Sequence, residues 1–291
     1  MQEKALVTVY IATHNRSGLL LRAVESVLNQ TYPHIELIVA DDGSADDTYQ
    51  VLSPLIDQGK LIYLKNETPQ GACVARNLAI EAASGEFITG LDDDDEFLPH
   101  RVEHMLTSFE ATDYSCFASP YCERTPKGDV ERRMDPGEVT LEALLHYNIL
   151  GNQVMTRTEY LRTIGGFDPK MPAFQDYDTW VRLVHRYGTA FKSDNISYIW
   201  YTDHVSGRIS ECSDRRITAF KKFMGKHQAI MSQAHKDSMS ILEKRLQGSN
   251  YSLLDFLKLT NKGNLKASVS FFMNTNFRWL KWLFDVSRLK G

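Results

Sequence analysis

The N-terminal third of the chain alternates between short apolar runs and amphipathic stretches, and this order constrains the fold more than any other feature. Each apolar run has the length and the branched residues of a buried strand. The runs are Leu6–Ile11, Ile35–Ala40, Leu61–Leu64 and Glu86–Leu91. The stretches between them carry apolar residues at helical spacing. Strands that alternate with helices predict an α/β fold with a mostly parallel central sheet flanked by helices.

The strands of this predicted sheet end in polar, mostly acidic residues. Thr13 follows the first strand, Asp42 follows the second, and Asp92 and Asp94 follow the fourth. In open parallel sheets, ligands bind beyond the carboxyl ends of the strands. We therefore expect these side chains to converge on a binding site.

Four consecutive aspartates, Asp92 to Asp95, come directly after the fourth strand. Neighbouring carboxylates repel one another, so such a run belongs either in a solvated acidic turn or around a divalent cation. Ligands that offer only oxygen favour Mg²⁺ or Mn²⁺ over zinc. If the strand continued, alternation would turn Asp92 and Asp94 to one face and Asp93 and Asp95 to the other.

Charge and composition exclude several classes of protein. A net charge of −4 over 291 residues gives no general reason to bind nucleic acid. The cysteines form neither a C-x-x-C pair nor a zinc spacing and predict reduced thiols. The N-terminus lacks the shape of a signal peptide, and no apolar run approaches the roughly 20 residues that span a bilayer. The expected location is the cytoplasm.

The rest of the chain divides into a mixed part and a helical part. We predict helices over 99–110 and 175–187, strands near 114–121 and 189–201, and a mobile loop over the polar stretch 123–137. From about residue 212 onward the pattern is helical and more basic.

Several short motifs in this order closely resemble the family 2 glycosyltransferases, which have the GT-A fold. The motifs are Thr13-His14-Asn15-Arg16, Asp41-Asp42-Gly43-Ser44, Gly71 to Arg76-Asn77, Leu91 to Asp95, Gly165-Gly166-Phe167-Asp168 and Gln175-Asp176. The resemblance covers roughly residues 5–205. It implies a GT-A catalytic domain over 1–208, with a nucleotide-sugar-binding half (1–98) and an acceptor half (99–208). A helical C-terminal extension would follow over 209–291.

The resemblance assigns donor binding to residues at the strand ends. They are Thr13, Asn15, Arg16, Asp42, Arg76, Asp92 and Asp93. Asp42 would accept hydrogen bonds from the base or ribose, with an Asx turn before the next helix as the alternative. Arg76, early in a helix after a glycine-containing loop, would contact the pyrophosphate. Asn152 and Gln153 would border the acceptor pocket.

The resemblance also implies a metal site and a general base. The second carboxylate of the family's D-x-D element usually binds the metal, so Asp94 is expected to hold Mn²⁺ or Mg²⁺. His204 looks like the histidine that completes this site in some relatives. Asp176 is the candidate base for the acceptor hydroxyl, with Asp178 as the alternative, since either could instead cap the helix. Gln175 departs from the family, where glutamate is common.

The implied activity is a metal-dependent, inverting glycosyltransferase of the hexosyl or N-acetylhexosaminyl type. The donor would be a nucleotide-sugar, most commonly UDP-linked, and the acceptor a glycan or a lipid-linked sugar of a bacterial surface polysaccharide. Two alternatives are a nucleotidyltransferase on a related fold and a protein that only binds nucleotide-sugars. The segment after the first strand is poor in glycine for the former, and the latter does not need a base. An oligomer is compatible with the sequence.

Two further patterns have competing interpretations. The segment 276–291 carries Trp279 and Trp282 among basic residues, which suits a helix on an anionic membrane, a helix docked on the catalytic domain, or a dimer contact. His100 and His104 fit the H-x-x-E-H pattern of zinc peptidases, but a third ligand is not evident in the sequence.

Overall fold

The strands define the architecture of the computed structural model, which describes residues 4–110, 113–133, 135–202 and 213–277. Within these ranges the strands are β1 (Val7–Thr13), β2 (Ile35–Asp41), β3 (Ile62–Lys65), β4 (Phe87–Asp92), β5 (Glu96–Phe97), β6 (Cys116–Ala118), β7 (Tyr121–Thr125), β8 (Gly128–Arg132), β9 (Gly137–Val139), β10 (Val154–Arg157), β11 (Ala190–Lys192) and β12 (Tyr198–Tyr201). Eight of them form one sheet in the order β3-β2-β1-β4-β10-β6-β11-β9, and four form a second in the order β5-β12-β7-β8.

The α-helices of the described ranges follow the predicted alternation in the first half of the chain. They are α1 (Ser17–Leu28), α2 (Thr48–Asp57), α3 (Ala72–Ala82), α4 (Arg101–Glu110), α5 (Leu141–Leu144), α6 (Thr158–Thr163), α7 (Gln175–Tyr187), α8 (Ser213–His227), α9 (Gln233–Leu246), α10 (Leu253–Leu259) and α11 (Leu265–Asn276). None of the described helices is long and apolar enough to cross a membrane.

The register of the parallel strands places the predicted site at one edge of the large sheet. β1 pairs in parallel with β2 and with β4. Thr13 lies opposite Asp41, and Ala12 lies opposite Asp92. The C-terminal ends of β1, β2 and β4 therefore lie side by side, because parallel strands in register end at the same edge of a sheet.

The sheet is held by apolar residues at the periods that the sequence predicts. β1 is buried on both faces, as its continuous apolar run predicts, with Val7, Val9 and Ile11 on one face and Thr8 and Tyr10 on the other. On α1, Leu20 and Val24 share a buried face at helical spacing. The valine and isoleucine residues of β1 and these two residues of α1 belong to one core cluster, and burying each side chain contributes about 1.5–3 kcal/mol.

The prediction of a mobile loop over 123–137 is wrong for most of that stretch. β7 and β8 form an antiparallel hairpin, and β7 also pairs with β12. The hairpin has no apolar alternation because β8 is exposed on both faces. Charged cross-strand pairs hold it instead, since Arg124 binds Asp129 at 2.8 Å and Arg132 pairs with Glu123.

The chain divides into two compact units. The sheet unit comprises Met1–Leu141, Ile149–Lys170 and Gln175–Ser206. The helical unit comprises Glu142–Asn148, Met171–Phe174 and Gly207–Gly291. Within the helical unit, Ile241, Tyr251 and Phe271 form a small core of their own.

Gly90 lies in the middle of β4, where a side chain has no room. A Cβ atom at this position would lie 2.2 Å from Gln153 Oε1 and 2.6 Å from the Tyr10 ring. The missing side chain lets Gln153 reach over the strand to Asp92, to which its Nε2 donates a hydrogen bond of 2.8 Å.

We therefore expect Gly90→Ala to lower the free energy of unfolding by about 1–3 kcal/mol, as other overpacking substitutions do. Chemical denaturation would measure the change. Gly18→Ala is the matched control, because a Cβ atom there meets nothing within 4 Å. Equal stability of the two variants would contradict the close packing at Gly90.

Candidate active site

The acidic run forms a tight turn rather than a continued strand. β4 ends at Asp92, and the N–H of Asp95 closes the turn on the carbonyl oxygen of Asp92 at 3.1 Å. The predicted alternation of the four side chains is therefore wrong. Arg16 Nη1 contacts Asp93 Oδ1 at 3.0 Å and Asp94 Oδ2 at 3.2 Å, so these two neighbours face the same cation.

The first strand meets the acidic turn through Thr13. Its hydroxyl donates a hydrogen bond of 2.8 Å to Asp93 Oδ2. Burial raises the pKa of Asp93 to about 6, although Arg16 and Thr13 both act to lower it. One guanidinium nitrogen thus compensates two nearly buried carboxylates only in part.

Asp92 accepts hydrogen bonds from three side chains that belong to two separate segments. Its Oδ1 accepts from Gln153 Nε2 at 2.8 Å and from Arg76 Nη2 at 3.3 Å. Its Oδ2 accepts from Asn152 Nδ2 at 2.9 Å. Asn152 and Gln153, expected at the acceptor pocket, thereby fix the end of β4.

Asp95 holds the turn from inside the protein. Its side chain accepts hydrogen bonds from the Tyr198 hydroxyl at 2.7 Å and from the Tyr201 N–H at 3.0 Å. Burial raises its pKa well above the usual range, and the charges of Asp92 and Asp94 raise it further. The acidic turn is consequently anchored to β12.

Asp176 lies in the first turn of α7 and has the properties of a base. Burial raises its pKa to about 7; Arg76 opposes the shift and Asp92 adds to it. Its Oδ1 is buried and accepts no hydrogen bond from the described residues, and Arg76 Nη1 lies 3.5 Å away. Yet 28% of the side chain is exposed, so the carboxylate is accessible from outside.

Asp178, the alternative base, is committed elsewhere. It is fully buried, and its Oδ2 accepts from Arg182 Nε at 2.9 Å. Arg182 in turn donates to the carbonyl oxygens of Ile164 and Gly166, both at 2.7 Å. This ion pair fixes the turn between α6 and α7.

Arg76 connects the end of β4 to the start of α7. Besides Asp92 and Asp176, its guanidinium contacts Gln175 Oε1 at 3.0 Å and lies 5.0 Å from the Phe167 ring centroid. Burial acts to lower the pKa of Arg76, but Asp176 and Asp92 outweigh burial and raise it. The guanidinium therefore stays charged between the two carboxylates.

Asp42 fixes the loop that precedes α3. Its Oδ1 accepts from Asn66 Nδ2 at 2.8 Å and from the Gln70 N–H at 2.9 Å, and its Oδ2 accepts from the Gly71 N–H at 2.6 Å. Gly71 has a φ of 100°, which favours glycine. Asp42 thus organises this loop rather than an Asx turn before α2.

Asn15 links the loops that follow β1 and β2. It adopts a left-handed backbone conformation with a φ of 52°, which asparagine tolerates better than most residues. Its N–H donates to Ser44 Oγ and its Oδ1 accepts from the Ala45 N–H, both at 2.8 Å. Both loops are therefore ordered at the same edge of the sheet.

Arg22 is a site residue that the sequence analysis missed. Its Nη2 donates to the main-chain oxygen of Asp94 at 2.6 Å, and its Nε lies 3.1 Å from Glu96. The available signal was a basic residue in an otherwise apolar stretch of α1. That signal alone names no partner.

The predicted ligand His204 and most of the segment 276–291 lie outside the described residues. The two histidines of the H-x-x-E-H pattern point to different partners, because His100 Nε2 lies near Asn195 Oδ1 and His104 Nε2 near Ser193 Oγ. The structure does not bring them together as metal ligands.

Glu142, His146 and His235 form a separate cluster in the helical unit. The Ser232 N–H donates to His235 Nδ1 at 3.1 Å, which leaves the proton on Nε2. That nitrogen donates to the Glu142 carbonyl oxygen at 3.0 Å. His235 thus belongs to the cap of α9, and both of its ring nitrogens are engaged in hydrogen bonds.

The carboxylate ligands at the acidic turn fit a hard divalent cation. Asp93 and Asp94 offer only oxygen, and their charge is balanced by a single guanidinium nitrogen. Asp92 fits less well, because its two oxygens already accept from three side chains.

A protein-family model and several curated proteins match this chain. The protein-family model for glycosyl transferase family 2 matches residues 8–168, more than half of the chain. WcaA of Escherichia coli K12, a glycosyl transferase named for colanic acid biosynthesis, is 32% identical over 251 residues, covering 81% of this chain and 86% of WcaA. WfaP of Escherichia coli, the UDP-Glc:alpha-D-GlcNAc-diphosphoundecaprenol beta-1,3-glucosyltransferase, is 29% identical and covers 69% of this chain and 78% of WfaP.

Solved structures of similar fold have lower sequence identity. Residues 1–349 of Staphylococcus aureus TarS, in complex with UDP-GlcNAc, align with a TM-score of 0.69 at 18% identity, over 93% of this chain and 79% of that one. A longer TarS chain is covered over 46% of its length. The mannosyltransferase PcManGT of Pyrobaculum calidifontis, with GDP-Man and Mn²⁺, aligns with a TM-score of 0.60 at 16% identity, over 99% of this chain and 81% of that one. At such identities these structures show the fold alone.

The expected fold and enzyme class are both confirmed. The matched residues contain the strand ends and the acidic turn, whereas Asp176 lies beyond them. The neighbours establish the GT-A fold, with a large, mostly parallel sheet and a C-terminal helical region. The family match and the named relatives place the activity among sugar transferases. This chain is a glycosyltransferase that belongs to glycosyl transferase family 2.

Proposed function

We propose that this enzyme transfers a hexosyl or N-acetylhexosaminyl group from a UDP-sugar to a hydroxyl of a glycan or lipid-linked acceptor, with inversion at the anomeric carbon. The observation that carries the proposal is Asp176, an accessible carboxylate with a pKa raised to about 7. The names of WfaP and of the TarS complex support a UDP-linked donor.

Asp176 acts in this proposal as the general base. It takes the proton of the acceptor hydroxyl while the acceptor oxygen forms a bond to the anomeric carbon. The bond from that carbon to the diphosphate oxygen breaks, and UDP leaves with the electron pair. A single displacement of this kind inverts the anomeric configuration.

Arg76 positions the base and sets its charge state. It binds Asp92 and Asp176 at once, so it joins the acidic strand end to the start of α7. Its positive charge opposes the effect of burial on the pKa of Asp176. A partly ionised base at neutral pH follows, which suits proton transfer there.

The donor would lie over the strand ends, against Thr13, Asn15, Arg16 and Asp42. Asp94, with Asp93 beside it, would hold Mn²⁺ or Mg²⁺, and His204 stays a proposed further ligand. When bound, such a cation supplies charge neutralisation for the departing diphosphate. The Mn²⁺ in the PcManGT structure supports this part of the proposal.

The acceptor and location are inferred from the relatives. WfaP acts on a diphosphoundecaprenol-linked sugar, and WcaA is named for colanic acid biosynthesis. We extend the proposal to surface-polysaccharide synthesis at the inner face of the cytoplasmic membrane. The segment 276–291 would contribute membrane contact through its tryptophans and basic residues.

The test is product formation by the purified enzyme from UDP-Glc, UDP-GlcNAc, UDP-Gal and GDP-Man with polyprenyl-diphosphate-linked sugar acceptors. We expect product from a UDP-sugar, loss of product with EDTA, and recovery with Mn²⁺. NMR of the product should show an inverted anomeric centre. Turnover with GDP-Man alone would contradict the UDP-linked donor, and full activity in EDTA would contradict the metal site.

A further inference from the structure

The last two described helices expose an unusual amount of apolar surface. Their exposed side chains are Leu253 (61%), Leu254 (60%) and Leu257 (68%) on α10, and Leu265 (53%), Val269 (41%) and Met273 (42%) on α11. These six are more than half of the eleven large apolar side chains exposed in the described ranges. Isolated exposed leucines are ordinary, but such a concentration marks an interaction surface.

The exposed residues lie on defined faces of the helices. Leu265, Val269 and Met273 are four residues apart and form one stripe along α11. The inner faces are already filled by aromatic packing, with Tyr251 stacked on Phe271 at a centroid distance of 4.8 Å. The exposed stripes therefore take no part in the core of the helical unit.

Exposed lysines lie among these apolar side chains. They are Lys258 on α10, Lys262 in the connection between the helices, and Lys266 on α11. Asp255, the acidic residue of α10, is paired with Lys244 at 3.3 Å. Residues 253–291 contain seven basic and two acidic residues, a net charge of +5. Since the whole chain carries −4, residues 1–252 carry −9.

This separation of charge favours one kind of partner. A second copy of the chain docked through the same face would place lysines against lysines, because a two-fold interface is self-complementary. An anionic bilayer matches both features of the surface. Leucines can enter the boundary between headgroups and acyl chains while lysines meet lipid phosphates.

We propose that the exposed faces of α10 and α11 are a docking surface for an anionic lipid membrane. The proposal deepens the proposed function, since it rests on an acceptor that resides in the bilayer. Docking would be peripheral, through side chains that are already exposed in the folded helices.

The experiment is flotation of the full chain with vesicles of phosphatidylcholine and phosphatidylglycerol at 7:3, or of phosphatidylcholine alone. We expect the wild type to float with the anionic vesicles. The variant Leu253→Ser/Leu254→Ser/Leu257→Ser should bind them about tenfold more weakly or worse. The variant Lys258→Glu/Lys262→Glu/Lys266→Glu should lose the preference for phosphatidylglycerol, because each lysine near such a surface contributes about fivefold.

The matched charge control is Lys60→Glu/Lys127→Glu/Lys221→Glu, which changes the net charge equally at exposed sites elsewhere. It should bind like the wild type. Equal vesicle binding by the leucine variant and the wild type would overturn the proposal. It would also be overturned if sedimentation showed that the wild type is a dimer and that, of these variants, only the leucine variant is a monomer. Transfer to a detergent-solubilised acceptor is measured in parallel. If the wild type transfers no sugar to this acceptor, the result counts against the proposed function and not against docking.

Discussion

Asp176→Asn should abolish sugar transfer while leaving nucleotide binding intact. An amide keeps the shape of the side chain but cannot take a proton from the acceptor hydroxyl. General-base catalysis contributes about 10²–10⁴-fold, so kcat should fall by that order. The dissociation constant for UDP should change far less than kcat, because Asp176 reaches the donor only through Arg76, its counter-ion. Steady-state kinetics and calorimetry measure the two quantities.

Asp178→Asn is the matched control, two residues along the same helix. The Asp178 side chain is fully buried and paired with Arg182, so the substitution should lower the melting temperature. Asp176→Asn should not lower it at pH 8. The pKa of Asp176 is raised above its unfolded value of 3.8, so its ionised form destabilises the fold at pH 8, and this effect fades as the pH falls from about 7 toward 3.8. Lost UDP affinity in Asp176→Asn would point to a structural role.

The wild-type pH profile tests the same assignment without a substitution. Only the deprotonated carboxylate can act as a base. Because the pKa of Asp176 is about 7, kcat/KM should rise with pH through 7 and then level off. A flat profile between pH 6 and 8 would contradict the assignment.

Asp94→Ala should remove the binding of Mn²⁺ in the presence of UDP. The substitution deletes one of two carboxylates that face Arg16 and leaves that guanidinium with Asp93 as its partner. A site with fewer oxygen ligands and less negative charge holds a divalent cation more weakly. We expect a loss of about a hundredfold or more in affinity, measured by calorimetric titration and by the electron paramagnetic resonance of free Mn²⁺.

The control is Asp57→Ala, an exposed carboxylate at the end of α2. It should bind Mn²⁺ like the wild type. An Asp94→Ala titration that matches this control would remove Asp94 as a ligand.

The sequence was sufficient to predict how the strand ends converge. Alternating strands and helices require a parallel sheet, and a parallel sheet brings Thr13 next to the acidic run. This order of strands and helices depends on local periodicity, which a sequence displays directly. The family was identified separately, because motifs between Thr13 and Asp176 resemble those of family 2 glycosyltransferases.

The contacts between distant segments were beyond such reasoning. Arg76 and Asp176 are one hundred positions apart, and nothing near either residue names the other. Asn152 and Gln153 likewise reach Asp92 only because β10 pairs with β4. Pairing between distant segments depends on the packing of the whole unit, so it is absent from any short window of sequence.

Two errors came from applying strand rules where strands behave differently. Alternation failed at Asp93 because β4 ends one residue earlier, and a turn follows other geometry. The hairpin of β7 and β8 was missed because both faces of β8 are exposed, so its residues need no apolar period. Ion pairs such as Arg124 with Asp129 replace that period.

Arg76 gives two carboxylates one shared counter-ion. A diphosphate that draws the guanidinium toward itself would leave Asp176 with less compensation and a greater affinity for its proton. The free and the donor-loaded enzyme would then titrate at separate points, so that kcat and kcat/KM diverge along the pH axis. Binding of the donor diphosphate near Arg76 would in this way raise the pKa of Asp176.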